Sequence, residues 1–345
     1  MKFTISMMMF LFIFSVSSLN AQTTSKIDGL VFADYYYNVD NQDQSKKDEN
    51  AFQYRRIYFT FENYIFEDIK VRFRLESEHS GSSKINPFVK HAYLECNNLI
   101  ANHKLYLGIA ETNAFKNSEE YWGYRSIEKT IMDLNKISSS ADMGIALKGD
   151  LTPTVHHWLT IMNGTGYGSA EVDKYKKIGY ALWVTPMTGL IIEGYVDYEK
   201  QDPDNTPLSS AKDFSGSSGY NTLKAFVGYE QPLFTVGAET FLRTNKESGI
   251  KNVTVDTSGI ISSDKTDIKR FGYSIFGSWI TPIPKVKLFA RYDYYDKNNN
   301  DDAYTKFDAS TGALTGGLDD EETLLIAGLD YIPRGNIHIM PNIMF

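Results

Sequence analysis

Lys70, Arg72 and Arg74 stand at every second position of Ile69–Glu76, and Ile69, Val71, Phe73 and Leu75 fill the places between them. A strand sends successive side chains to opposite faces, so this spacing gives one charged face and one apolar face. Arg56, on the neighbouring segment Phe52–Glu62, falls on the same charged parity. A comb of cations with no nucleophile or general base beside it attracts anions rather than making or breaking bonds. The same residues also serve a plainer purpose, solvating a polar wall and pairing with Glu62 and Glu76. Further along, Lys177, Lys287 and Arg291 share the polar parity with Asp28, Asp34, Glu193, Asp197, Glu199, Asp293 and Asp330, so both signs are present. A second group of cations, Lys116, Arg125 and Lys129, lies in the long connection Glu111–Ser140 beside Glu119, Glu120 and Glu128. These either line a constriction or form ion pairs that fix the connection to a wall.

Other chemistries find little support. Of the six histidines, His156 and His157 are neighbours on a strand and point to opposite faces, so they cannot share one metal. No serine sits in a nucleophile-elbow context, and no paired-carboxylate motif stands out. Gly164–Gly168 lacks the Lys-Ser/Thr ending of a phosphate-binding loop and reads as a turn. Cys96 is the only cysteine, which excludes an intrachain disulfide. The formal charge of −8 gives no support to nucleic-acid binding. No enzyme, cofactor or metal is expected from these residues.

The elements that must position the charges are strands. Residues 1–21 combine Lys2, an apolar core over Met7–Val16 and a small, polar end at Ala21, which is the pattern of a cleaved export signal. Residues 22–345 then form the expected barrel domain. That region contains no apolar run of 18 residues, so only strands are available to cross a membrane. Alternating segments recur over about Lys26–Val39, Phe52–Glu62, Ile69–Glu76, Phe88–Cys96, Lys104–Ala110, Asp142–Leu147, His156–Met162, Lys177–Thr185 and Leu190–Glu199. They continue over Thr222–Glu230, Phe234–Arg243, Arg270–Ile280, Val286–Tyr295, Thr323–Tyr331 and Asn336–Phe345, giving about fifteen strands from periodicity alone.

Long and short connections alternate along the chain. The long ones include Asn41–Asn50, Glu111–Ser140, Gln201–Gly219, Thr244–Ile268 and Asp296–Glu321. This sorting predicts an all-β fold: a transmembrane antiparallel β-barrel with short periplasmic turns and long external loops. Bacterial single-chain barrels have even strand numbers, so sixteen strands are expected, the last being mis-assigned or beyond residue 345. Within the connection Glu111–Ser140, Ser126–Leu134 suits a short helix.

The chain resembles the phosphate-selective porin O and P family in its Bacteroidetes-type outer-membrane version. The resemblance rests on Tyr54-Arg55-Arg56-Ile57-Tyr58-Phe59-Thr60-Phe61-Glu62, the charged strand after it, Ala92-Tyr93-Leu94-Glu95, and Leu107-Gly108-Ile109. Phe115, Tyr124-Arg125-Ser126-Ile127-Glu128, Asp142-Met143-Gly144-Ile145 and Asn163-Gly164 complete the series, whose order is more specific than any single member. It covers about Phe52–Gly164 and is diffuse afterwards. The resemblance implies a homotrimeric porin of sixteen strands whose third external loop, here Glu111–Ser140, folds into the lumen. It further implies passage of small hydrophilic solutes, including anions such as phosphate, across the outer membrane. No lysine-rich constriction of the family type can be matched residue by residue. The competing expectation is a non-transporting outer-membrane barrel acting as an adhesin or structural protein.

Overall fold

Alternation along the strands decides the architecture. The computed structural model describes residues 25–41, 43–78, 86–171, 173–201, 212–213, 217–255, 261–300, 304, 306–308, 313–315 and 321–345; the leader expected over residues 1–21 lies outside them. Sixteen strands make one antiparallel sheet in which sequence neighbours are spatial neighbours. In chain order they are β1 (Ser25–Tyr37), β2 (Asn50–Tyr64), β3 (Ile69–Glu78), β4 (Pro87–Asn97), β5 (His103–Glu111), β6 (Ala141–Thr152), β7 (Val155–Met162) and β8 (Lys177–Met187). There follow β9 (Leu190–Lys200), β10 (Gly219–Gln231), β11 (Phe234–Val255), β12 (Ile261–Ile280), β13 (Val286–Asp296), β14 (Glu321–Arg334), β15 (Ile337–Ile339) and β16 (Asn342–Met344). This is the up-and-down order of a transmembrane-type β-barrel.

The last two strands are one lane in two pieces, since both pair with β14. Pro341 breaks the lane; proline has no N–H to give a ladder and is tolerated at a sheet edge. The segment expected as a single strand over Asn336–Phe345 is therefore interrupted. Because every connection reverses direction, β1 and this final lane run the same way, from the short-turn end to the long-loop end. They do not pair with each other among the described residues, so the sheet is left open between them.

One face of the sheet is apolar and open to the surroundings. Leu94, Leu107, Ile145, Ile161 and Ile178 stand directly opposite one another across five consecutive strands, β4 to β8. Ile57, Phe59, Val196, Leu223, Val227, Val236, Ile275 and Leu325 continue the exposed belt around the sheet. An unbroken apolar surface of this extent would drive a water-soluble protein to aggregate, whereas hydrocarbon solvates it. The opposite face carries Thr60, Arg74 and His91 in one row and Glu62, Arg72 and Tyr93 in the next.

The connection between β5 and β6 proves that the sheet curves. It contains helices α1 (Lys116–Trp122) and α2 (Ile131–Leu134), and packs its buried Trp122, Ile131, Met132 and Ile137 into the polar-parity side. Its residues bond to β2, β9, β11 and β13, strands on widely separated parts of the sheet, so the sheet must wrap around it. Helix α1, absent from the sequence expectation, ends at Gly123, whose φ of 69° supplies a left-handed cap, its N–H donating to the Glu119 carbonyl. Helix α2 falls inside the expected Ser126–Leu134 but occupies only its last turn.

Short turns need backbone room more than side-chain character. At the β8–β9 turn Gly189 has φ of +83°, and a Cβ there would lie 2.0 Å from the Glu230 carbonyl oxygen. The opposite end of the molecule departs from the sequence reading. Thr244–Ile268, expected as a loop, is largely a continuation of the β11–β12 hairpin, with register shifts between Asn245 and Gly249 and between Lys251 and Thr254. Polar pairs such as Lys246 with Asp267 (2.8 Å) and Asn252 with Asp264 (2.9 Å) join its strands. The extension mixes exposed polar residues such as Lys246, Glu247 and Asn252 with buried polar ones, Asn245 and Ser248, so it shows no continuous apolar parity for a sequence reading to detect.

Candidate functional site: the inner wall and the in-folded loop

The four wall cations expected from the sequence all lie on the inner face, and three of them are neutralised locally. Lys70 reaches Glu95 at 2.8 Å, Arg72 reaches Glu62 at 3.2 Å, and Arg56 reaches Glu76 at 3.0 Å. Arg74 differs. Its Nε donates to Thr60 Oγ1 at 2.8 Å and its guanidinium lies 5.3 Å from the Tyr58 ring centroid, with no ion pair among the described residues. The plainer reading, pairing with Glu62 and Glu76, thus holds for Arg72 and Arg56 and fails for Arg74.

Two further basic residues escaped the alternation because the wall is bulged. The β1–β2 register passes from Phe32↔Arg56 to Ala33↔Tyr54, leaving Arg55 as an extra residue. The β3–β4 register passes from Arg74↔His91 to Leu75↔Val89, leaving Lys90 as another. A bulge lets consecutive residues point to one side. Arg55 and Arg56 therefore both face inward, as do Lys90 and His91. Lys90 bonds Glu76 at 2.7 Å beneath the Tyr167 ring. On β6, Lys148 sits over the rings of Trp158 (4.4 Å) and Trp183 (5.5 Å), again without an ion pair among the described residues. Neither Lys90 nor Lys148 was marked in the sequence.

Arginines hold the loop in place through its backbone. Arg55 on β2 donates to the Ile127 carbonyl and pairs with Glu128 at 3.3 Å. Arg243 on β11 donates to the Ile137 carbonyl, and Arg291 on β13 donates to the Lys129 carbonyl at 2.5 Å while pairing with Asp293. Asn117 of α1 donates to Glu193 on β9, whose other oxygen receives Lys224 Nζ at 2.7 Å. Each contact satisfies a group that an irregular segment would otherwise leave unpaired away from water. Trp122 adds the apolar anchor. It packs edge-on to Tyr124, Phe276 and Phe289, and its Nε1 donates to the Glu128 carbonyl at 2.8 Å.

The three loop cations have separate fates. Arg125 is tied within the loop, to Glu119 and to Asp133 (2.5 Å), so it braces the loop rather than reaching the wall. Lys116 lies between Glu111 on β5 (3.6 Å) and Glu120 (3.5 Å). Burial alone would lower its ammonium, but Glu111, Glu119 and Glu120 outweigh that and hold it above the ordinary lysine range. Lys129 has no ion pair among the described residues; burial, helped by Arg56 and Arg125, pushes its ammonium down. Lys129 thus sheds its proton below the ordinary lysine value of about 10.4, and Lys116 keeps its proton above it. Any anion preference supplied by Lys129 fades as pH rises, and does so below the pH at which an ordinary lysine discharges. Reversal potentials measured along an alkaline series should drift toward zero in the wild type, and drift less in Lys129→Met. Equal drift in both would remove Lys129 from the conducting path.

Among the described residues no group of three or more His, Cys, Asp or Glu side chains is placed to hold a metal. His156 bonds Asp150 at 2.6 Å and stacks on Trp183, while His157 points to the other face, as expected from their adjacency.

A wall of alternating strands, an apolar belt outside, charges inside and a loop folded into the interior define the fold class of outer-membrane porins. Solved structures agree. The OmpT outer membrane protein of Vibrio cholerae, folded in vitro, aligns with 96% of this chain and 88% of its own at 11% identity and a TM-score of 0.60. OmpF of Salmonella typhi, in complex with daunomycin, covers 94% and 89% at 11% identity and 0.62. An anion-selective porin from Comamonas acidovorans covers 94% and 88% at 12% identity and 0.58. Identities this low establish the fold alone. No protein-family model and no curated protein matches the sequence.

Proposed function

We propose that this chain is an outer-membrane porin carrying small hydrophilic solutes by passive diffusion, with an inner wall biased toward anions, phosphate among them. The observation that carries the reading is the loop between β5 and β6, clamped inside the sheet, with cations that have no ion pair among the described residues on the wall (Arg74, Lys148) and on the loop itself (Lys129). Charges lining a narrowed path tune which ions pass, and no covalent step is needed. The order of motifs shared with the phosphate-selective porin O and P family supports this assignment. So does the similarity in fold to porins, one of them described as anion-selective. A leader over residues 1–21 would direct export, residues 22–345 would form the barrel, and three copies would associate in outer-membrane lipid.

Arg74 rather than Arg72 should dominate selectivity, because Glu62 already screens Arg72. Reversing one charge about 8 Å from the ion path in a water-like dielectric changes the energy of each ion by about 1 kcal/mol, in opposite senses for cation and anion, so the local cation-to-anion preference changes by about 2 kcal/mol, or about thirtyfold. Arg74→Glu should therefore shift the reversal potential toward cations under a salt gradient, and Arg72→Glu should shift it less. The effect should shrink at high ionic strength, since exposed charges are screened. Equal shifts would sink the distinction.

Planar-bilayer conductance of the purified protein, with phosphate added as a competitor, tests the whole reading. Stable steps, an anion-biased reversal potential and phosphate block are the expected result. Open, weakly selective steps would leave a general porin. Folded protein without steps would point instead to the non-transporting barrel, an adhesin or structural protein.

A further inference from the structure

Two histidines that are far apart in sequence meet on the outer face of the wall, at its short-turn end. His103 on β5 stands opposite Gly149 on β6, and Gly149 stands opposite His157 on β7. Neighbouring strands are about 4.8 Å apart, so residues flanking a central strand ordinarily have a side chain between them. Gly149 leaves that gap empty; a Cβ placed there would lie 2.4 Å from His103 Cδ2. The two rings close over it, with Nε2 to Nε2 at 2.8 Å and ring centroids 5.0 Å apart.

The tautomers follow from the surroundings. His103 Nδ1 lies 2.7 Å from the Ala101 carbonyl, so the Nδ1–H donates there and the Nε2 lone pair faces His157. Anchoring of the far ring nitrogen on a carbonyl is the arrangement that orients metal-bound imidazoles. In the metal-free protein His157 Nε2–H donates to His103 Nε2. Two nitrogens bound at about 2.0–2.1 Å to one ion are themselves about 2.9–3.4 Å apart, so to admit one the ring nitrogens separate by only a few tenths of an ångström, while both rings tilt out of their head-on contact to aim at the ion. The His157 proton then moves from Nε2 to Nδ1, and no net proton is lost.

We propose that His103 and His157 form a two-imidazole site for a divalent first-row transition ion, with water in the remaining positions. Copper(II) is the tightest-binding probe, because affinity for nitrogen sites peaks there. With only two protein ligands the site exchanges its ion rather than holding it as a structural element.

The test is titration of tag-free, detergent-folded protein with Cu2+ alone, read by electron paramagnetic resonance. One Cu2+ per chain with coupling to two imidazole nitrogens is the expected result. His103→Gln and His157→Gln should each weaken binding at least tenfold and leave one-nitrogen coupling. Gly149→Ala, which retains both ligands but fills the gap between them, should weaken binding too, while His156→Gln should not. Folded wild type that binds no Cu2+, or a signal unchanged in both histidine variants, overturns the site. The readout is independent of conductance, so it stands or falls apart from the porin reading.

Discussion

Trp122→Ala is expected to loosen the in-folded loop and raise single-channel conductance. Trp122 is 2% exposed and anchors α1 against Phe276 and Phe289 on the inner wall, with Arg291 5.2 Å from its ring centroid. Removing a buried tryptophan typically costs about 3–5 kcal/mol, from lost burial and the cavity left behind. The strands keep their ladders without it, so that cost falls on the docking of the loop, which then rests on the arginine-to-carbonyl bonds, the Arg55–Glu128 pair, the Asn117–Glu193 bond and the smaller buried side chains Ile131, Met132 and Ile137. The wall should survive as heat-resistant barrel on gels while the loop becomes cleavable by protease. Conductance steps should become larger and noisier. A variant with cleavable loop and unchanged conductance would show that the loop does not limit the path.

Lys224→Met is expected to have the largest effect on stability. Lys224 is fully buried between β9 and β11, 2.7 Å from Glu193 and 3.9 Å from Glu239, and both carboxylates are buried as well. Losing one member of a buried ion pair costs about 3–5 kcal/mol, because the remaining charge is stranded away from water. Here two carboxylates are stranded at once. Glu193 also receives Asn117, so the same substitution should disturb the seat of α1. Denaturant unfolding in detergent micelles should show the loss, and Lys224→Met with Glu193→Gln should recover part of it. No change in unfolding midpoint would mean that water or lipid headgroups already solvate the cluster.

Much of the fold was legible because lipid and water make opposite demands on one strand. Ile69–Glu76 announces both faces in eight residues, and the same demand recurs to β14. The sorting of long and short connections gave the two ends. In the outer part of β11 and β12 the buried side includes the polar Asn245 and Ser248 as well as Ile250 and Ile268, so the demand weakens and the hairpin read as a loop. Pro341 within the last lane was visible, but its effect depends on lying at an edge, which only the sheet order shows.

The candidate site was legible in part. Arg56, Lys70, Arg72 and Arg74 were found because they keep the period of two. Arg55 and Lys90 were missed because each is the extra residue of a bulge, and a bulge is set by pairing with a partner strand, not by local sequence. Which cation stays without an ion pair was likewise beyond the sequence. Arg72 and Arg74 are equivalent in pattern, and only the register that sets Glu62 opposite Arg72 and Thr60 opposite Arg74 separates them. The roles of Arg125 as a brace, Arg243 and Arg291 as clamps, and His103 as partner to His157 arise from contacts between distant segments. The sequence by itself determined the strands, their two faces and the alternating loops, since those follow from solvent on either side of a strand. Tertiary structure decided which charges are cancelled and which remain, because neutralisation depends on distances of 3–4 Å across strands that periodicity does not specify.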